Sequence, residues 1–247
     1  MGMQESTKKI ALVTGANKGI GLAIARELGK AGITVLLGAR DASLGEAAAA
    51  KLRGEGLDAR FVRLDLMSPD TIQAAAASIA AQFPRLDILV NNAGIIAPAD
   101  GPPSSADWNS VKHAMETNFL GTLAVTQAML PLLRKAPAAR IVNLSSGLAS
   151  LEKNGDPAWD FAAFKLIGYN ASKAALNMLT VQLAYELRDT GIKVNSVSPG
   201  FVATDMNEHR GTMTVEEGAA GPVRLALLPP DGPSGRFFSS DGGFYPW

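Results

Sequence analysis

The sequence predicts an α/β fold: a single domain built on a doubly wound, mostly parallel sheet with helices on both faces. Three observations predict it. Short β-branched apolar runs alternate with alanine-rich stretches of helical period, the sequence form of strand–helix–strand crossovers. Runs such as Ala11-Leu12-Val13 and Ile88-Leu89-Val90 are apolar without a break, as strands covered on both faces are. The 247 residues are 47% hydrophobic and 19% charged, enough for one large core, and no linker, repeat or charge block divides them.

In chain order, strands are expected at Ile10–Thr14, Thr34–Ala39, Arg60–Leu64, Asp87–Asn91, Arg140–Leu144, Lys193–Ser198 and Gly235–Ser239. Helices are expected at Ile20–Ala31, Leu44–Arg53, Pro69–Gln82, Trp108–Leu133, Tyr169–Arg188 and Val215–Leu228. The runs Ala47–Ala50 and Ala74–Ala77 are helix filler. Residues Ile95–Asp107, rich in Pro, Ser and Gly, read as a loop. The stretch 150–167 carries Gly155, Pro157, Trp159, Phe161 and Phe164 and reads as an insertion, either a lid on the site or an ordinary loop pinned by its aromatics.

Formal net charge is zero, which gives no reason to expect a nucleic-acid or acidic-lipid partner. There are no cysteines, so disulfides, thiolate catalysis and cysteine zinc sites are excluded, and a reducing compartment fits. His113 and His209 stand far apart, so no metal site is expected. No apolar run is long enough to span a membrane. The expectation is a cytoplasmic protein. Gly2 and Ser6 match the myristoylation pattern, which we read as fortuitous.

The first strand runs into Thr14-Gly15-Ala16-Asn17-Lys18-Gly19-Ile20-Gly21, followed by a helix. Glycines there allow a tight turn and close approach to a pyrophosphate, while the helix start offers free N–H groups and a positive dipole end. The second strand ends Gly38-Ala39-Arg40-Asp41. An acidic residue at this strand end would bind the ribose 2′-hydroxyl of NAD. Ala39 takes that slot with Arg40 beside it, and a guanidinium favours a 2′-phosphate, so NADP(H) is expected. Asn17 and Lys18 are placed to reach the same phosphate. The alternative is a surface Arg40 with Asp41 on a hydroxyl. Asp65-Leu66 after the third strand is expected at the adenine, and Asn92-Ala93-Gly94 after the fourth lets a ribose approach the backbone. These segments follow successive strands, where open α/β sheets bind ligands.

Tyr169 and Lys173, four residues apart in Tyr-Asn-Ala-Ser-Lys, share one helix face. The lysine charge is expected to lower the phenol pKa and so allow proton exchange with a substrate oxygen near neutral pH.

Taken together these residues resemble the short-chain dehydrogenase/reductase family. Thr14–Gly21 is similar to its cofactor turn, Asn91–Gly94 to its Asn-Asn-Ala-Gly motif and Asn118 to its helix asparagine. Ser146 is similar to its serine, Tyr169 and Lys173 to its Tyr-x-x-x-Lys, and Pro199-Gly200-Phe201-Val202-Ala203-Thr204 to its Pro-Gly segment. The likeness covers nearly the whole chain and implies a Rossmann-type fold. The glycine turn and Ala39-Arg40-Asp41 look most like the NADPH-dependent carbonyl reductases, although the stretch from Ser146 to Tyr169 differs from theirs in length.

The resemblance implies hydride transfer from a nicotinamide to a ketone or aldehyde. Tyr169 would donate the proton and Ser146 would hydrogen-bond the oxygen. Lys173 would tune Tyr169 and bind the ribose, and Asn118 would hold a water that links Lys173 to solvent. Pro199, Gly200, Val202 and Thr204 would hold the carboxamide end. The site residues are therefore Asn118, Ser146, Tyr169 and Lys173 for catalysis. Gly15, Asn17, Lys18, Gly19, Ile20, Gly21, Arg40, Asp65, Leu66, Asn92, Ala93, Gly94, Pro199, Gly200, Val202 and Thr204 join Tyr169 and Lys173 on the cofactor. The substrate would be a small carbonyl compound or alcohol, with Ile95, Leu148, Trp159, Phe161, Phe164 and Met206 as candidate pocket walls. Alcohol oxidation on a steroid or sugar, and a non-catalytic NADP(H) sensor, are the alternatives. Family members pair through the two long helices. The tail aromatics Phe237, Phe238, Phe244, Tyr245 and Trp247 must pack against something, a second copy or the same chain, and a homo-oligomer is expected.

Overall fold

The computed structural model describes residues 8–247; the Gly2–Ser6 pattern lies outside them. Seven parallel strands form one sheet in the order β3-β2-β1-β4-β5-β6-β7. They are β1 (Ile10–Thr14), β2 (Thr34–Ala39), β3 (Ala59–Arg63), β4 (Ile88–Asn91), β5 (Arg140–Leu144), β6 (Lys193–Val197) and β7 (Arg236–Phe238). The order reverses between β1 and β4. That switch point opens a crevice at the carboxyl ends of the strands, where such sheets take their ligands.

Helices cover both faces. They are α1 (Gly19–Lys30), α2 (Ala42–Gly54), α3 (Pro69–Gln82), α4 (Trp108–Met115), α5 (Thr122–Leu133), α6 (Leu151–Gly155), α7 (Ile167–Glu186) and α8 (Val215–Ala226). One buried cluster joins α1, α2 and α8 to the side of the sheet that carries Ala11, Val13, Val35 and Val197. The other joins α3, α5 and α7 to Leu12, Leu36, Leu89, Ile141 and Val194. Adjacent strand residues feed opposite clusters, as the two-residue strand period requires, which is why the runs Ala11–Val13 and Ile88–Val90 are apolar throughout.

Local chemistry sets the element ends. Asp41, Ser68 and Thr214 cap α2, α3 and α8, each accepting an N–H from the first turn. Two expectations are corrected. The helix foreseen at Trp108–Leu133 is interrupted by a π-helical turn at Glu116–Gly121, and Asn118 lies in it. A π turn shifts the hydrogen-bond register by one residue, which hydrophobic period alone does not reveal. The 150–167 stretch is also not wholly irregular, since α6 forms with Ser150 as its cap.

The tail aromatics pack on their own chain. Phe237 is buried against Tyr245 and Trp247, with ring centroids at 5.0 and 5.7 Å, and Phe238 meets Phe244 at 5.2 Å. An antiparallel bridge between Phe238 and Phe244 turns the tail back along β7. Of the two partners foreseen for these rings, the same chain supplies the packing. Among the described residues no helix is long and apolar enough to cross a membrane.

Candidate active site

The crevice is built from the β1 end outward. Gly15 and Gly19 hold left-handed φ of 63° and 56°, which a side chain would strain. Ala16 N–H donates to Gly38 O and so ties the turn to β2. Asn92 braces the other side: its amide nitrogen donates to the Thr14 and Gly15 carbonyls at 2.8 and 3.2 Å. The backbone N–H groups of Asn92 and Ala93 both donate to the Thr14 hydroxyl at 3.0 Å. Gly21 is glycine because a Cβ would lie 2.5 Å from that Asn92 nitrogen.

Three observations fit a dinucleotide here. Lys18 stands at the N-cap of α1 and makes no side-chain cap bond, unlike the caps of α2, α3 and α8. The first N–H groups of α1 are therefore left for an anion. A Cβ on Gly19 would meet only Thr204 Cγ2, at 3.9 Å, so the turn faces open space. Among the described residues Arg40 is exposed and makes no ion pair or hydrogen bond, whereas Asp41 is committed to capping α2. This favours Arg40 over Asp41 as the reader of the ribose substituent.

Other candidates sit as follows. Asn17 and Asp65 are half-buried, and Asp65 accepts Met67 N–H at 3.0 Å, so this oxygen serves its own turn. Leu66 packs beside the core under Gly121, and Ile20 packs on the other core. Lys18 is not free: its ammonium lies 2.6 Å from Asp205. Pro199 and Gly200 lead out of β6, Val202 is buried in a bridge to Met213, and Thr204 N–H donates to Asn207 Oδ1.

The catalytic candidates converge at the carboxyl end of β5. Tyr169 is only 8% exposed, and its phenol lies beside Ser146. Ser146 Oγ also accepts Leu148 N–H at 3.2 Å. Ser145 lies apart, with its hydroxyl turned to Lys173 O. Lys173 is buried and donates to Leu144 O at 2.8 Å. A Cβ on Gly94 would be 3.0 Å from its ammonium nitrogen, so glycine alone leaves that approach open.

One expected effect differs here. Burial, opposed in part by the Ser146 hydrogen bond, pushes the Tyr169 phenol up, not down. The same burial lowers Lys173 to about 8. Sequence spacing could place the pair but not weigh desolvation, which dominates in a dry pocket. Asn118 is fully buried, and its amide is spent on the backbone of Ile95, accepting from N and donating to O, and on the Ser172 hydroxyl. Its side chain thus pins the loop after β4.

One residue was not foreseen. Asp100, in the loop before α4, accepts Gly168 N–H at 2.9 Å and Tyr169 N–H at 2.7 Å. It caps α7 from 69 residues away in sequence and fixes the Tyr169 backbone. Only its acidic character in a Pro- and Ser-rich loop hinted at a cap, and the partner lay too far along the chain to be read.

A chain of aromatic contacts follows α6, with Trp159 3.5 Å from the Cβ position of Gly147. Trp159, Phe161 and Phe164 meet in sequence, and Phe161 then meets Phe201 edge-on at 5.7 Å. Leu148 instead lines a cavity of about 290 Å³ on the α7 face carrying Ile167, Asn170, Ala171 and Ala174, away from Tyr169.

Residues 9–214 match the model of the short chain dehydrogenase family. The chain belongs to that family. It is 36% identical to mouse carbonyl reductase [NADPH] 1, over 98% of this chain and 99% of that protein. It is also 36% identical to (+)-neomenthol dehydrogenase of Arabidopsis thaliana, over 96% and 98%. Among solved structures, NADPH-bound carbonyl reductase from chicken fatty liver superimposes with a TM-score of 0.84 at 31% identity, covering 97% of this chain and 99% of that one. The chain is thus an oxidoreductase of this family with its Rossmann-type fold.

Proposed function

We propose that this short-chain dehydrogenase reduces a ketone or aldehyde to an alcohol with NADPH, using Tyr169 as general acid. The observation that carries this reading is the buried Tyr169 phenol, set beside Ser146 and held protonated by its surroundings. A protonated phenol can give a proton to a carbonyl oxygen as it gains negative charge. The bound dinucleotide would supply the hydride to the carbonyl carbon. Ser146 donates a second hydrogen bond to that oxygen. Lys173, beside Gly94, faces the ribose and keeps positive charge near the tyrosine. Oxidation of an alcohol would instead need the phenolate, which burial opposes. A sensor has no use for this arrangement of hydroxyls. The Trp159–Phe161–Phe201 wall suits aryl and alkyl ketones.

NADPH mixed with a panel of such ketones should lose absorbance at 340 nm, and no loss with any of them would sink the reading. Arg40→Ala should weaken NADPH by roughly tenfold or more, the value of a charge-assisted bond of ~1.5–3 kcal/mol, and leave NADH nearly unchanged. Equal weakening of both cofactors would remove Arg40 from the 2′-phosphate.

The protein also assembles with copies of itself in this reading. Met178, Val181 and Tyr185 form an exposed line on α7, at 56%, 40% and 70% exposure, and Leu120 is exposed on the π turn. Light scattering should return a multiple of 25.7 kDa; a single-chain mass at micromolar concentration would overturn this.

A further inference from the structure

The segment after β6 does not stay over its own strand. β6 lies three places from β1 in the sheet, with β5 and β4 between. At about 4.8 Å per strand that is a span of roughly 14 Å. Yet the short helical turn Asp205–Asn207 touches the glycine turn after β1. Lys18 Nζ lies 2.6 Å from Asp205 Oδ2, and Thr204 Cγ2 is the nearest atom to the Cβ position of Gly19. The chain from 199 to 207 therefore arches over the ends of β5 and β4 and reaches β1. In doing so it crosses the β1–β4 switch point, where the dinucleotide is read to lie.

The arch is held at its base and at its tip. At the base, Ala203 N–H donates to Met213 O at 2.8 Å and Met213 N–H to Phe201 O at 3.0 Å. At the tip, His209 Nε2 lies 2.9 Å from the second Asp205 oxygen. Glu208 and His209 are both left-handed, with φ of 55° and 59°. Two consecutive non-glycine residues in that region are strained, and such strain persists only where surrounding contacts hold it. Here His209 N–H donates to Thr204 O at 2.9 Å, Asn207 Nδ2 donates to Val202 O at 2.8 Å, and the His209 ring meets Asp205.

We infer that Asp205 is a positioning residue that retains the cofactor: through Lys18 it fastens this strap across the nucleotide crevice and slows dinucleotide release. The inference rests on the dinucleotide reading above. It assigns to Asp205 a role different from that of Arg40. Arg40 distinguishes one cofactor from the other, whereas a strap across the crevice detains both. Both partners of the ion pair are more than half exposed, so water and salt weaken it. The expected effect is modest, roughly twofold to fivefold in the release rate.

The test is stopped-flow displacement of NADPH, and separately of NADH, from the full-length protein. Asp205→Asn should release both faster by the same factor, with association unchanged. Asp205→Glu, which keeps the carboxylate, should restore slow release. With NADH, which lacks the 2′-phosphate, rising salt should speed release more from the wild type than from the Asn variant. Unchanged release in Asp205→Asn would overturn the strap. So would slower release of NADPH with NADH unchanged, which would mean that Asp205 only holds Lys18 away from the 2′-phosphate. A wild type that binds neither cofactor would overturn the dinucleotide reading itself, and the two failures are therefore distinct.

Discussion

Replacing Tyr169 with phenylalanine should cut turnover at least ~100-fold, the lower end of what a positioned general acid contributes. The ring remains in its buried place, so packing is kept and only the hydroxyl is lost. Its partner Ser146 still accepts Leu148 N–H and is not left without a bond. The stability cost is about 1 kcal/mol or less, that of one hydrogen bond, partly offset because a buried polar atom has gone. NADPH affinity should barely change. Steady-state assays with any accepted ketone, set beside a thermal melt, separate these effects. Near-normal turnover would remove Tyr169 from the chemistry.

Lys173→Met should do the reverse to stability while also stopping turnover. Burial lowers Lys173 from 10.5 to about 8, so at pH 7 the folded chain holds an ammonium that it disfavours by about 3 kcal/mol. Methionine fills the same volume without charge. It leaves Leu144 O without its donor, at a cost of about 1–3 kcal/mol. The net expectation is a gain of about 1 kcal/mol, read as a raised denaturant midpoint with unchanged slope. Turnover should fall at least ~100-fold, as when a preorganised charge is removed beside the reacting oxygen.

The same lysine gives the wild type a pH signature. Its folded pKa is lowered, so its penalty is full below about pH 8 and fades as pH rises toward 10.5, where the unfolded chain also loses the proton. Stability should therefore rise by about 2 kcal/mol between pH 8 and 10. The raised Tyr169 phenol opposes this rise from 10.0 upward and reverses it above 10.5, because it keeps a proton that the unfolded chain gives up. Denaturant melts across this range should show the rise in the wild type and not in Lys173→Met. A flat wild-type profile would mean that Lys173 is better solvated than its burial implies.

By itself the sequence determined the sheet and the order of its parts. Unbroken apolar runs identify strands covered on both faces, and β1, β2 and β5 begin and end where the sequence reading places them. It also determined which chemistry meets at the strand ends, because Gly15–Gly21, Asn92–Gly94, Ser146 and Tyr169–Lys173 are each defined by local spacing. Only the tertiary structure decided what those groups do to one another. The shift of the tyrosine depends on how much water is excluded, which no spacing records. Asp100 caps α7, and Asp205 reaches Lys18 across 187 residues, because the fold brings distant loops to one crevice. The π turn that seats Asn118 is set by packing against α7 and the loop after β4, contacts that hydrophobic period does not carry. Local pattern fixes what lies within a turn or two of helix or a strand's width. Charges, caps and burial act through space, and only the folded chain supplies those distances.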